Sequence, residues 1–315
     1  MFRCLCLLIA LLSFAVPASA DPLHVGMAET DITPPMGFPI SGYYHERLAD
    51  GTLDPLKAKA VVFRQGDQSA AFVVGDLTGI DRDLYIEVRR RASKATGIPE
   101  THIVLSGTHS HTAPDYTAHL YQYLAKKPDE RDADSYAAKL IGGIASAIEQ
   151  ASKSAAPAVV QAGAGEQEVT VAFNRRFVMK DGSVRTWQKL DNPDVVKAAG
   201  PIDPEIGLLR ILSADGNNTI GMVSNFALHL DTVGGTRWSG DFPFYIEQTL
   251  KKEIGGNIVS VFGAGTCGDI NHSDPSRAER NKTDLIGNSL GDAIVKALPE
   301  LKPVESPTLK VNTTT

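Results

Sequence analysis

Apolar and polar positions alternate in short runs along much of the chain, and glycine or proline breaks the runs. Residues 25–33 alternate like a strand that Pro34-Pro35 ends. Leu56 to Phe63 and Ser69 to Asp76 form two more strand-like runs, separated by Gly66-Asp67, a pair that tight hairpins favour. The period then changes. From Asp81 to Thr96, Leu84, Val88 and Ala92 share one helical face, and Gly97-Ile98-Pro99 stops the helix. His102 to Ser106 is a short buried strand running into Gly107. A second helix is expected over 132–152, with Leu140, Ile141, Ile144 and Ile148 at helical spacing. Strand-like runs recur at 158–163, 168–173, 206–213 and 219–227. Phe242 to Ile254 reads as an amphipathic helix, Ile258 to Phe262 as a buried strand, and Leu285 to Leu298 as a last helix. Pro307 to Asn312 begins another strand pattern and stops in the middle of it, which predicts that the chain is C-terminally truncated.

This order implies an α/β fold, with mixed β-sheets and helices packed outside, as a single domain over 21–315. No internal repeat or low-complexity linker is visible. Residues 1–20 read as an export signal: Arg3, an apolar run from Leu5 to Val16, and Ala18-Ser19-Ala20 with cleavage after Ala20. The run is too short to span a bilayer, so a secreted or periplasmic protein is expected, without a transmembrane segment. Of three cysteines, Cys4 and Cys6 lie in that leader, leaving Cys267 without an internal disulfide partner. Losing Arg3 takes the net charge from −6 to −7, which argues against nucleic acid and against a polybasic membrane anchor; transient contact with a membrane surface stays open. Oligomeric state is not legible.

The candidate chemistry begins at Thr108-His109-Ser110-His111, just past a buried strand. In extended chain, His109 and His111 project to the same side, which makes half of a zinc site. The bland alternative is a pair of hydrogen-bonding histidines at a strand end. Asn225-Phe226-Ala227-Leu228-His229 places a third histidine past another apolar strand, where ligands collect in open sheets. A third feature is the glycine-rich turn Gly263-Ala264-Gly265-Thr266-Cys267-Gly268, which leads to Asp269 and Asn271. Its free amides suit an oxyanion, although a plain turn explains it equally well, and the Gly-Lys-Ser/Thr of a P-loop is absent. Asp76 and Asp241 are candidate carboxylates, and His45 and His272 are candidate substrate or supporting contacts.

With these features placed, the sequence resembles the neutral/alkaline non-lysosomal ceramidase family, in its N-terminal catalytic domain. The resemblance is carried by residues 26–34, by Asp54 to Val62, and by Val104 to Pro114, which is similar to the family's Thr-His-Thr-His-Ser-Gly-Pro block. Phe173-Asn174-Arg175-Arg176 and Asn225 to His229 match in order and context. The resemblance implies a zinc ion that activates water to attack the amide of ceramide or a related lipid amide. By position, His109 and His229 resemble metal ligands, and His111 and Arg175 resemble catalytic groups at the scissile bond. The family's further ligands, a glutamate and a tyrosine, lie later than this chain reaches. Where the family carries a serine, in Gly-Asn/Asp-x-Ser-Pro-Asn, this chain reads Gly268-Asp269-Ile270-Asn271. Asn271 therefore takes the catalytic position, with Asp269 and His45 as substrate contacts. An amide donates a hydrogen bond but is no hydroxyl nucleophile. A metallo-β-lactamase reading fails because Thr112-Ala113 follows His111 where Asp-His would be needed. A secreted binding protein that kept the fold without the chemistry is the non-enzyme alternative.

Overall fold

The computed structural model describes residues 21–313, so the expected leader lies outside the described residues. Nine strands form the main sheet. They are β1 (His24–Asp31), β2 (Lys57–Gln65), β3 (Gln68–Gly75), β4 (Ile103–Gly107), β5 (Ala156–Glu166), β6 (Glu205–Ser213), β7 (Thr219–Phe226), β8 (Val259–Ala264) and β9 (Lys302–Pro303). The order is β8-β7-β6-β5-β1-β2-β3-β4, with β9 also on β5. The pairs β3–β4 and β7–β8 are parallel and the others antiparallel.

Five helices cover this sheet: α1 (Arg82–Thr96), α2 (Thr117–Ala125), α3 (Tyr136–Lys153), α4 (Phe242–Ile254) and α5 (Thr283–Ala297). The mixed α/β architecture expected from the pattern is therefore the one found. The chain runs twice through the same course. Three antiparallel strands are followed by a helix, a fourth strand parallel to the third, and a further helix. The next strand then pairs antiparallel with the first strand of its unit. The first unit is β1–β4 with α1 and α3, and α2 as an addition before α3; the second is β5–β8 with α4 and α5, closed by β9. This repetition leaves no trace in the amino-acid order.

Side-chain alternation sorts the core into layers. Ala58, Ala60 and Val62 of β2 face α1 and α3, while Val61 joins Val25, Met27, Val74, Val160, Ile211 and Val261 between the two units. A separate cluster, including Phe226, Ile246, Phe262 and Leu290, fills the space under α4 and α5. The result is helices, sheet, sheet, helices.

Local signals acted as expected at most boundaries. Gly66, at φ 56°, occupies the first central position of the two-residue turn between β2 and β3, where a left-handed residue suits the strand twist. Leu84, Val88 and Ala92 are the buried face of α1, and left-handed Gly97 ends it by donating to Ser93 O. Two expectations fail. Residues 168–172 form no strand, because the Gln167 side chain accepts from Val171 N and competes with pairing; only Phe173–Asn174 pairs, with Ile270–Asn271. Pro307 to Asn312 is not a strand either. The Gln65 side chain donates to Pro307 O and accepts from Leu309 N, where a partner strand would be. The pattern also missed a three-stranded sheet formed by Arg176–Met179, Val184–Thr186 and Val195–Ala198, inserted between β5 and β6.

Candidate metal centre

The candidate chemistry gathers where β4 of the first unit and β7 of the second come to an end, at Gly107 and Phe226. There the loops after β4 and β7 bring His109, His111 and His229 together, with one ligand nitrogen of each within 4.8 Å of the others. Ring centroids stand 4.7 Å apart for His109 and His229 and 4.9 Å for His111 and His229. His111 Nε2 lies 3.1 Å from His229 Nε2.

The geometry within the loop differs from an extended strand. His109 sits at φ 69°, in the left-handed region, immediately after β4 ends. A kink, rather than strand alternation, turns its ring toward His111. His109 N donates to Leu77 O and His111 N to Leu230 O, at 2.9 Å each, which fixes this loop against both units.

Two of the three imidazoles are locked by backbone carbonyls. His109 Nδ1 donates to Thr78 O at 2.8 Å, and His229 Nδ1 to Cys267 O at 3.2 Å. Each lock sets the tautomer and leaves Nε2 facing the cluster, the arrangement that supports histidine–metal bonds. Burial, and then the neighbouring His229, pushes the pKa of His111 down to about 4; burial lowers that of His229 too. Both rings are therefore neutral at neutral pH, with lone pairs available. Two neutral nitrogens at 3.1 Å repel unless a proton or cation sits between them. Three converging imidazoles with carbonyl supports fit a zinc-type ion, which binds nitrogen at ~2.0–2.1 Å.

Around this group lie residues that sequence reasoning passed over. Arg47 is buried and donates to Ser41 O, His111 O and Gly235 O, at 2.5, 2.6 and 2.8 Å; its guanidinium lies 3.8 Å from the centroid of the Tyr43 ring. The Tyr43 ring is in turn 6.2 Å from that of His111. Gly42, at φ 98°, backs onto His111 so closely that a Cβ there would stand 2.6 Å from His111 Cβ. Asp231 would be raised by its burial, but His272, His229 and His111 hold its pKa below the usual carboxylate value. His272, a candidate contact already from the sequence, is buried with its Nδ1 3.3 Å from Asp231 Oδ1. The signals were present but weak: Arg47 lies two residues after His45, and Asp231 two after His229.

Residues 23–271 match the model of the neutral/alkaline non-lysosomal ceramidase N-terminal domain. The chain belongs to this family. It is 27% identical over 283 residues to the neutral ceramidase of Pseudomonas aeruginosa, covering 85% of this chain and 40% of that protein. Against the neutral ceramidase of Mycobacterium tuberculosis it is 28% identical over 269 residues, covering 79% and 40%. The crystal structure of the P. aeruginosa neutral ceramidase aligns with a TM-score of 0.69 at 21% identity, covering 88% of this chain and 44% of that one, a likeness of fold. The chain thus spans less than half the length of these relatives.

The remaining candidates of this ceramidase-family chain fall on different sides of the cluster. Arg175 donates from Nη2 to Gly268 O at 2.6 Å, and its charge acts on His229. Asn271 is fully buried, and its Oδ1 accepts from Ser273 N. Both line a cavity of about 220 Å³ that none of the three histidines lines; Arg175, whose charge acts on His229, links it to the cluster. Asp269 faces elsewhere: its Oδ2 accepts from Asn174 Nδ2 at 2.9 Å, and its carbonyl from Arg175 N at 2.8 Å, so it shapes the loop that carries Arg175. His45 is exposed on the rim, its ring 5.8 Å from that of Tyr43. Asp76 and Asp241 do not join the histidine group. Asp241 caps α4 and accepts from Thr232 Oγ1, Thr232 N, Val233 N and Phe242 N, which occupies its oxygens. Asp76 is buried behind the loop and accepts from Lys57 N.

Proposed function

We propose that this chain is a secreted, zinc-dependent amidohydrolase that cleaves the amide bond of N-acylsphingosine or a related lipid amide. The observation that carries the reading is the cluster of two carbonyl-locked imidazoles and one free one, contributed by both units. His109 and His229 serve as metal ligands because their Nδ1 atoms are held and their Nε2 atoms converge. His111 has no such carbonyl lock among its described ring contacts, and it is neutral at neutral pH. It is placed to take a proton from the attacking water and to return it to the leaving amine. Zinc bound there would supply Lewis acidity and lower the pKa of water from 15.7 to around 7. The Arg175 guanidinium faces the same ground and stabilises negative charge developing on the amide oxygen. Asn271 contributes a neutral donor where its relatives carry a hydroxyl, so it orients substrate and forms no covalent bond.

Secretion rests on the leader pattern of residues 1–20. Among the described residues, no helix is long and apolar enough to cross a membrane. A binding protein without turnover is the second reading, and Asn271 is the residue that favours it. Hydrolysis of a lipid amide that is lost on chelation and restored by zinc is the expected result. Activity indifferent to chelators would sink the zinc reading.

A further inference from the structure

The cavity that Arg175 and Asn271 line has walls that a neutral ceramide does not require. Arg175, Lys189, Arg280, Asn271 and Ser273 surround Trp187, and no acidic side chain is among the lining residues. The Arg175 and Arg280 guanidiniums lie 5.4 and 5.3 Å from the centroid of the Trp187 ring. Trp187 itself sits at φ 63°, a left-handed conformation that a bulky residue adopts only under constraint. Its backbone N–H donates to Arg175 O at 2.9 Å, which keeps the two residues side by side. Two donors shielded from solvent, Arg175 Nε and Asn271 Nδ2, have no hydrogen-bond partner. Asn271 is fully buried and lines the cavity, so its free N–H is available to an acceptor placed there.

A cavity with cationic and neutral donors, an aromatic wall and no carboxylate suits a planar oxyanion. We propose that it binds a carboxylate carried by the substrate itself, so that the preferred amide is an anionic one, such as an N-acyl amino acid, rather than a neutral lipid amide. This rests on the amidohydrolase reading for turnover, but not for binding.

The test exploits fluorescence. The sequence has two tryptophans, and Trp238 is fully buried elsewhere, so a ligand-dependent change reports Trp187. N-lauroylglycine and its neutral isostere N-lauroylglycinamide are titrated into the wild-type chain and into Arg280→Gln, with calorimetry in parallel. The expected result is about tenfold tighter binding of the carboxylate, reduced to about equal binding in the variant. Equal binding of both amides by the wild type, or an unchanged preference in Arg280→Gln, overturns the proposal. Sodium acetate is the third arm: acetate binding without discrimination between the amides means a free-anion site and also overturns it. Preference without turnover leaves this proposal standing and the hydrolase reading fallen; turnover without preference does the reverse.

Discussion

The two units of the fold build the same device with opposite assignments. In the first, the loop after the fourth strand supplies His109, and the loop after the third supplies its carbonyl lock, Thr78 O. In the second, the loop after the third strand supplies His229, and the loop after the fourth supplies the lock, Cys267 O. Each unit therefore offers one imidazole already set in tautomer and direction, and neither holds both. The insertions differ too. Residues 32–56, between β1 and β2, bring Tyr43 and Arg47 behind His111. Residues 167–204, between β5 and β6, bring Arg175 and Trp187 into the cavity. The strand-end loops thus hold the histidines, and the inserts supply the residues around them.

His111 is the asymmetric element, since the second unit has no counterpart to it in the cluster. His111→Ala should lower kcat by ~10²–10⁴, the usual worth of a general base, while bound zinc is retained. Steady-state kinetics with metal analysis checks this, and zinc lost along with activity would make His111 a ligand instead.

A smaller effect tests how the units are joined. Glu247 of α4 meets Lys59 and Lys57 of β2 and Lys251 of its own helix. Burial opposes its charge, yet Lys59, Lys251 and Lys57 hold its pKa down to about 2. A carboxylate with a depressed folded pKa stabilises the fold above its unfolded value, near 4.5, and loses that contribution as pH falls through about 2. Glu247→Gln should cost about 3 kcal/mol at pH 7 in denaturant unfolding, with the deficit shrinking below about pH 4.5. A deficit constant with pH would remove the ion pairs from the account. Gly42→Ala is the mildest test. Its Cβ would press on His111, so kcat should fall roughly tenfold with zinc content unchanged.

Periodicity made most of the sheet and helices legible, because buried faces repeat at spacings the sequence displays. Leu84, Val88 and Ala92 came out as the buried face of α1. The histidines were legible as a group, but for the wrong local reason. Strand alternation was expected to align His109 with His111, whereas left-handed His109 does so after the strand has ended. Asp231, Arg47 and Trp187 were not legible, because each depends on a partner remote in the chain, His272, His111 and Arg280 respectively, and has no motif of its own. The repeat of units was hidden for a related reason: it conserves strand direction and order, which many sequences satisfy.

Metal content of the purified chain tests the central claim, a centre shared by the two units. Mass spectrometry should find about one zinc per wild-type chain, and close to none in either His109→Ala or His229→Ala, with all three proteins folded by circular dichroism. A folded wild type without zinc, or zinc that survives loss of either histidine, would contradict it.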